Sequence, residues 1–311
     1  MPLTRRSRRL ILAVILYLTF CSIAGIWVAD GTLQPGRRLL THDEESAMID
    51  SARALDADLQ DVSISTTDAV TLRAWTIHPH HPNGDSVILL HGLGDNRVGM
   101  TGYAQILLAH GYGVLMPDAR AHGASGGSLA TYGLVERNDI RQWFDFLSAL
   151  DHPHCIFGLG ESMGAAQLLQ SLDSGTQFCA VVAESSFSNF REIGYDRMGQ
   201  PFGLGPWLGR TFLRPLVEAA FLRANWKFNL DLRLVSPEDA VATTQVPVLL
   251  IHGQIDSNIP VRHSRRIHSR NPKTVLWEVP NADHCGAIST APREFERRVL
   301  GWFRDHAQPA N

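Results

Sequence analysis

The segment Gly158-Leu159-Gly160-Glu161-Ser162-Met163-Gly164 constrains this chain more than any other. It joins the short apolar run 155–159 to the run 163–172, whose small residues Gly164, Ala165 and Ala166 suit a closely packed helix. A serine with glycines two before and two after, set between a buried strand and a helix, reads as a sharp strand-to-helix turn. The serine backbone is strained there, and the glycines relieve crowding around it. The turn projects the hydroxyl past the carboxyl end of the strand. The helix beneath offers unfilled N–H groups to an anion.

The rest of the chain supplies the sheet such a turn needs. Residues 62–66 and 70–77 read as a hairpin around Thr67-Asp68-Ala69. Continuous apolar runs at 86–90, 113–116, 155–159, 180–183, 248–251 and 275–279 read as strands buried on both faces. Helical spacing separates them, at 103–110, 134–150, 163–172, 261–269 and 294–306. This order predicts an α/β fold: a mostly parallel, eight-stranded sheet with helices on both faces. Residues 187–243 break the alternation. They carry Phe202, Trp207, Phe212, Phe221, Trp226 and Phe228, too many large apolar residues for an exposed loop. The expectation is an inserted helical cap within a domain spanning 61–311.

A serine hydroxyl is a poor nucleophile at neutral pH and needs a base. On this kind of scaffold the acid and then the histidine follow the serine in chain order. Asp256 follows the strand run Val248-Leu249-Leu250-Ile251, and His284 lies just past the last strand. All three positions fall at carboxyl ends of strands, where active sites of open α/β sheets gather. The candidate triad is therefore Ser162, Asp256 and His284. Asp283 is a rival acid, but adjoining His284 turns its side chain elsewhere. His252 and His91 read as structural histidines. Charge that builds on an attacked carbonyl oxygen needs preorganised N–H donors. The amides of Met163 and of Leu93, in the loop His91-Gly92-Leu93-Gly94, are the candidates.

The stretches HGLGDN at 91–96, PDARAHGASGG at 117–127, GLGESMGA at 158–165, AESSFSN at 183–189, SPEDAV at 236–241, IHGQIDSNIP at 251–260 and NADHCG at 281–286 resemble the α/β-hydrolases of the serine aminopeptidase and lysophospholipase-like group, near the Bem46-like hydrolases. The resemblance covers roughly 60–305. It implies the α/β-hydrolase fold with the same nucleophile, acid and base, and a serine hydrolase acting through an acyl-enzyme without metal or organic cofactor. It leaves the substrate open among esters, lipids, thioesters and peptides. Carboxylic ester hydrolysis is the leading expectation, with a small acyl substrate such as a lipid. A peptidase or thioesterase on the same triad, or a non-catalytic protein of the same fold, are the alternatives. The sequence departs from its relatives at Ala121-His122, where glycine is usual, and a surface change is expected there. Asp118, Arg120 and Ser125 are expected to fix that loop, with Glu136 and Asp139 bracing it. His78, His80 and His81 read as an exposed proline-bounded loop without a metal.

The first thirty residues form a separate unit. Arg5, Arg6, Arg8 and Arg9 precede residues 10–29, twenty positions without a charge. A helix that long spans roughly 30 Å, the thickness of a bilayer core. Basic residues before it predict a cytoplasmic N-terminus and a catalytic domain on the periplasmic or extracellular side. A signal peptide cleaved near Ser22-Ile23-Ala24, releasing a secreted protein, is the competing reading. Residues 31–60 read as a linker helix. Without the four arginines the chain has 24 basic and 31 acidic residues, which excludes the basic face of a nucleic-acid binder. Cys155 and Cys179 each precede neighbouring strands, so a disulfide fits the geometry, but two buried thiols are the simpler expectation.

Overall fold

The computed structural model describes residues 4–307, which divide into two compact units: 35–188 with 235–307, and 4–34 with 189–234.

The first unit is built on one sheet of eight strands: β1 (Ala57–Ser65), β2 (Thr71–Pro79), β3 (Ser86–Leu90), β4 (Gly113–Pro117), β5 (Ile156–Glu161), β6 (Val181–Glu184), β7 (Val248–Gly253) and β8 (Val275–Val279). Their spatial order is β1-β2-β4-β3-β5-β6-β7-β8. The two junctions β1–β2 and β2–β4 are antiparallel, and the others are parallel. Strand periodicity of two explains the layering. Val87 and Leu89 of β3 pack on one face with Phe157, Leu159 and Phe303, while Ile88 and Leu90 pack on the other with Ile140, Trp143 and Leu168. Each large side chain so buried contributes about 1.5–3 kcal/mol.

The helices, in chain order, are α1 (Arg5–Leu33), α2 (His42–Ala54), α3 (Thr101–Ala109), α4 (Glu136–Asp151), α5 (Met163–Ser171), α6 (Phe190–Gly199), α7 (Pro206–Arg210), α8 (Arg214–Phe228), α9 (Pro237–Thr243), α10 (Arg262–Arg270), α11 (Ala287–Thr290) and α12 (Pro292–Asp305). Within the sheet unit, α2, α3 and α12 supply one face of the core and α4, α5 and α10 the other.

Several expectations change here. The segment 31–60 is not one helix. α1 runs on to Leu33, and α2 starts at a capping box in which Glu44 N–H donates to Thr41 Oγ1 (3.3 Å) and Thr41 N–H donates to Glu44 Oε2 (3.0 Å). β1 then begins at Ala57, inside the expected linker. The hairpin is longer than its apolar core because its paired strands alternate apolar and polar residues, with Ala57 opposite Pro79. Cys155 and Cys179 are joined in a disulfide, their Cα atoms 5.8 Å apart. Neighbouring parallel strands β5 and β6 bring the two positions together, and this overturns the thiol expectation.

The second unit joins α1 to α6, α7 and α8. It closes at 234, earlier than the sequence suggests, because α9 packs on α5 and α10 and belongs to the sheet unit. Cys21, Gly25, Ala29 and Leu33 recur every four residues as the buried stripe of α1. A Cβ on Gly25 would lie 2.6 Å from Leu216 O and 2.7 Å from Ala219 Cβ, so α1 and α8 approach as only small residues allow. Asp30 pairs with Arg223 (3.0 Å) and Lys227 (2.9 Å) at the far end of that contact.

Candidate active site

Ser162 stands between β5 and α5 with φ 51° and ψ −114°, the strained left-handed region that a sharp turn imposes. The flanking glycines are required by close approach. A Cβ on Gly164 would lie 2.2 Å from Leu90 O, and one on Gly160 would lie 2.7 Å from Gly164 C. The N-terminus of α5 is thereby pressed against the ends of β3 and β5, beneath the serine.

Ser162, Asp256 and His284 come together although 122 residues separate the serine from the histidine. His284 Nε2 is 2.9 Å from Ser162 Oγ, and His284 Nδ1 is 2.9 Å from Asp256 Oδ2. Asp256 Oδ1 accepts the N–H groups of Asn258 (2.9 Å) and Ile259 (2.7 Å). Burial alone would raise the Asp256 carboxyl, but hydrogen bonds from His252 and His284 outweigh it and hold it well below the carboxylate range. An ionised Asp256 favours the tautomer with the proton on Nδ1, which leaves Nε2 free to accept the serine proton.

The rival groups have other partners. Asp283 accepts the N–H of Ser257 and of His284, each at 2.8 Å. His252 is fully buried, with Nδ1 2.6 Å from Ser264 Oγ and Nε2 2.7 Å from Ile259 O. Its Nε2 also lies 3.3 Å from Asp256 Oδ2, so this structural histidine supports the acid. His91 Nδ1 donates to Gly92 O (2.8 Å), and its Nε2 accepts from Ala119 N–H (3.0 Å). Burial, with the neighbouring His122, pushes His91 down to about 4 and keeps it neutral.

Of the two oxyanion candidates, Met163 opens α5, so its N–H has no carbonyl one turn earlier to meet. Leu93 follows Gly92, whose ideal Cβ position lies 3.6 Å from Ser162 Cβ. The loop after β3 therefore runs beside the serine.

The loop after β4 is fixed by buried charge. Asp118 accepts Arg97 Nη2 and the N–H of Ala124, both at 2.8 Å, and Ser125 Oγ donates to Asp118 O (2.7 Å). Arg120 reaches Asp139 (2.7 Å) and Asp68 (2.8 Å), and Glu136 accepts the N–H groups of Thr131 and Gly133. Ala121 and His122 are not a surface change: both are buried. Ala121 has φ 62°, a conformation that suits glycine, and the His122 ring packs edge-on against His91 with centroids 5.4 Å apart. His78 lies inside β2, which runs to Pro79, so the stretch is not wholly the expected loop, and His80 lies between Asp56 and Asp58. No cluster of metal-binding side chains occurs among the described residues.

A group that sequence reasoning missed lies just below the triad. Glu161 and Glu184 are register partners on β5 and β6, and the Tyr103 hydroxyl lies 3.2 Å from one and 3.0 Å from the other. Glu161 Oε1 lies against Gly92, 3.4 Å from where a Cβ would stand there, and Glu184 accepts the N–H of Ala287 (2.9 Å). The pair thus ties the loop beside Ser162 to the segment that carries His284. Burial, and then the charge of Glu184, push Glu161 up to about 7. The signal was present in the sequence: both acids end otherwise apolar strand runs.

Residues 87–298 match the profile of the alpha/beta hydrolase family. The uncharacterized protein YqkD of Bacillus subtilis is 29% identical over 243 residues, covering 76% of this chain and 75% of its own length. The Pyrococcus furiosus esterase Pf2001 superposes with a TM-score of 0.69 at 26% identity, covering 89% of this chain and 99% of the esterase. The acylaminoacyl peptidase of Pyrococcus horikoshii, at 16% identity and a TM-score of 0.61 over 82% of this chain and 43% of its own, shares the fold. On the span of that family match and the sheet that carries it, the chain belongs to the alpha/beta hydrolase family.

Proposed function

We propose that this protein is a membrane-tethered serine hydrolase that cleaves a carboxylic ester through an acyl-enzyme, with Ser162 as nucleophile, His284 as base and Asp256 as the acid that orients it. The observation that carries the reading is the continuous chain Ser162–His284–Asp256, with both links at 2.9 Å. His284 Nε2 takes the hydroxyl proton as Ser162 Oγ attacks the ester carbonyl. The N–H groups of Met163 and Leu93 receive the negative charge on the carbonyl oxygen. The tetrahedral intermediate collapses as His284 returns the proton to the leaving alcohol. His284 then activates a water that releases the acid product and restores Ser162.

Ester chemistry is favoured by the likeness to the P. furiosus esterase, which extends over nearly the whole of both chains. Aminoacyl amides are the competing class, because an acylaminoacyl peptidase shares the fold. Helix α1 is long and apolar enough to cross a bilayer by length and composition, which is what the anchor reading requires. The four arginines before it favour a cytoplasmic N-terminus, and the disulfide Cys155–Cys179 suits a catalytic unit in an oxidising compartment. A tethered enzyme meets its substrate at the membrane, so apolar acyl esters are the expected class.

The test is a hydrolysis panel of nitrophenyl esters of increasing acyl length beside aminoacyl nitroanilides, with Ser162→Ala as the blank. Ester turnover lost in Ser162→Ala supports the assignment. Turnover of amides alone selects the peptidase reading, and unchanged ester turnover in Ser162→Ala removes Ser162 from the mechanism.

A further inference from the structure

The acids beneath the triad take no part in the proton transfers assigned to Ser162, His284 and Asp256, yet they touch the segments on which Ser162, His284 and Leu93 stand. Glu161 and Glu184 are register partners on β5 and β6. The Glu184 carbonyl accepts the N–H of Ser162 (2.8 Å), and its side chain accepts the N–H of Ala287 (2.9 Å), just past His284. The adjacent Ser185 Oγ accepts the N–H of Cys285 (3.2 Å). On the other side, Glu161 Oε1 lies against Gly92, and the next residue is the oxyanion candidate Leu93. The Tyr103 ring is held edge-on to Phe295, with centroids 5.7 Å apart, and its hydroxyl stands between the two carboxyl groups.

Donor counting shows what this cluster requires. Tyr103 brings one proton for two carboxyl groups. Glu184 is buried and Glu161 only partly exposed, so water screens a doubly ionised pair poorly. A proton kept on one carboxyl removes the repulsion and supplies the missing donor. Burial, then the charge of Glu184, push Glu161 up to about 7, and Asp95 adds to the rise. The other charged or titratable groups around the pair are Asp256 from the loop after β7, and His284 with the Cys285 thiol from the segment after β8. Asp95 shares the loop of Leu93 and pairs with Arg38 (2.7 Å). When the proton leaves, Glu161 is repelled by Glu184 beneath it and by Asp95 on the loop it touches. Glu161 is the member with access to solvent, so it turns outward, and the loop loses its stop.

We propose that Tyr103, Glu161 and Glu184 are positioning residues for the oxyanion donor at Leu93, acting through one proton held by the carboxyl pair, so that loss of that proton slows acyl transfer and leaves substrate binding unchanged. The proposal rests on the reading of Ser162 as nucleophile and Leu93 as oxyanion donor. The pair exchanges no proton with substrate. Its own proton passes to solvent through the exposed side of Glu161.

The pH profiles of kcat and KM for a nitrophenyl ester test it in the full chain, with circular dichroism at each pH to confine the profile to folded protein. Wild type is expected to lose kcat about tenfold on the alkaline side with KM unchanged, since a displaced donor gives up part of the roughly 10²–10³ that an oxyanion N–H contributes. Glu161→Ala is expected to run at the low alkaline rate throughout. Glu161→Gln, whose amide N–H can donate to Glu184 at every pH, is expected to restore the rate and flatten the alkaline limb. Tyr103→Phe removes a donor that favours the ionised pair, so its limb is expected at higher pH. The infrared carbonyl band of the protonated carboxyl, taken as wild type minus Glu161→Gln, is expected to titrate with the midpoint of kcat.

An alkaline limb that Glu161→Gln shares with wild type overturns the proposal, as does its absence from wild type. A limb in KM alone assigns the pair to substrate binding and also overturns it. If Glu161→Gln fails to fold, Tyr103→Phe decides, and an unmoved limb overturns the proposal. Turnover that persists in Ser162→Ala removes the serine reading and the proposal with it. An unmoved limb beside an inactive Ser162→Ala removes the positioning role alone.

Discussion

Glu161 and Glu184 face each other at the ends of adjacent parallel strands and share the hydroxyl of Tyr103, at 3.2 and 3.0 Å. One phenol proton cannot satisfy two carboxylates in a buried site, so the pair holds together best when it retains a proton of its own.

That arrangement sets a pH dependence of stability. Glu161 lies near 7 in the folded protein, raised by burial and then by Glu184, against an ordinary value near 4.5. Between those values the folded state binds more protons than the unfolded state, so stability falls as pH rises from about 4.5 to about 7. The span corresponds to a loss on the order of 3 kcal/mol. Chemical denaturation of wild type across pH 4.5–8 is expected to show the decline. Glu161→Gln, which keeps the shape without the charge, is expected to flatten it. The groups that face Glu161 are Glu184, Tyr103, Asp95 and Cys285.

Asp256→Asn keeps the size of the acid but loses the charge that holds the proton on His284 Nδ1. Ester turnover should fall by about 10⁴-fold with little change in KM. A loss below tenfold would remove Asp256 from the mechanism.

His252→Ala removes a buried ring that lies 3.3 Å from Asp256 Oδ2 and 2.6 Å from Ser264 Oγ. The acid then sits in a looser pocket. Turnover is expected to drop about tenfold, well short of the Asp256→Asn loss, and the unfolding free energy by about 1–3 kcal/mol. Steady-state kinetics and denaturant titration read the two effects separately.

Cys155→Ser with Cys179→Ser opens a link between residues 24 apart in sequence. A stability loss of about 2–4 kcal/mol is expected, with ester turnover retained when measured below the new melting point. The same loss should follow reduction of the wild-type protein by dithiothreitol.

Gly164→Ala places a methyl 2.2 Å from Leu90 O, a backbone atom that cannot swing aside. Either β3 or α5 must shift, and the turn carrying Ser162 shifts with it. The variant is expected to lose activity and lower the melting temperature together, as followed by circular dichroism beside the ester assay.

Much of the fold was legible because its strands announce themselves. β3 and β7 are apolar at nearly every position, as parallel strands covered on both faces must be, and the glycines at 160 and 164 mark where the start of α5 is pressed against strand ends. The convergence of Ser162, Asp256 and His284 followed from chain order and strand ends alone. What stayed hidden depends on contacts between distant segments. Nothing local to residues 31–60 reveals that β1 begins at Ala57, because its pairing with β2 makes it a strand. The Cys155–Cys179 link needed the register of β5 and β6. The burial of His122 needed His91 beside it, and the Glu161–Tyr103–Glu184 cluster needed three elements at once. The contact between α1 and α8, almost two hundred residues apart, leaves only a stripe of small residues that an anchor helix would carry in any case.

The proposed chemistry makes Ser162 the group that attacks a carbonyl, activated by His284. A fluorophosphonate probe followed by peptide mapping with mass spectrometry tests it most directly. One covalent adduct on the peptide containing residue 162 is predicted for the native protein, with none in Ser162→Ala and strongly slowed labelling in His284→Ala. Absence of any adduct in the folded native protein, or an adduct on a different side chain that persists in Ser162→Ala, would contradict the account.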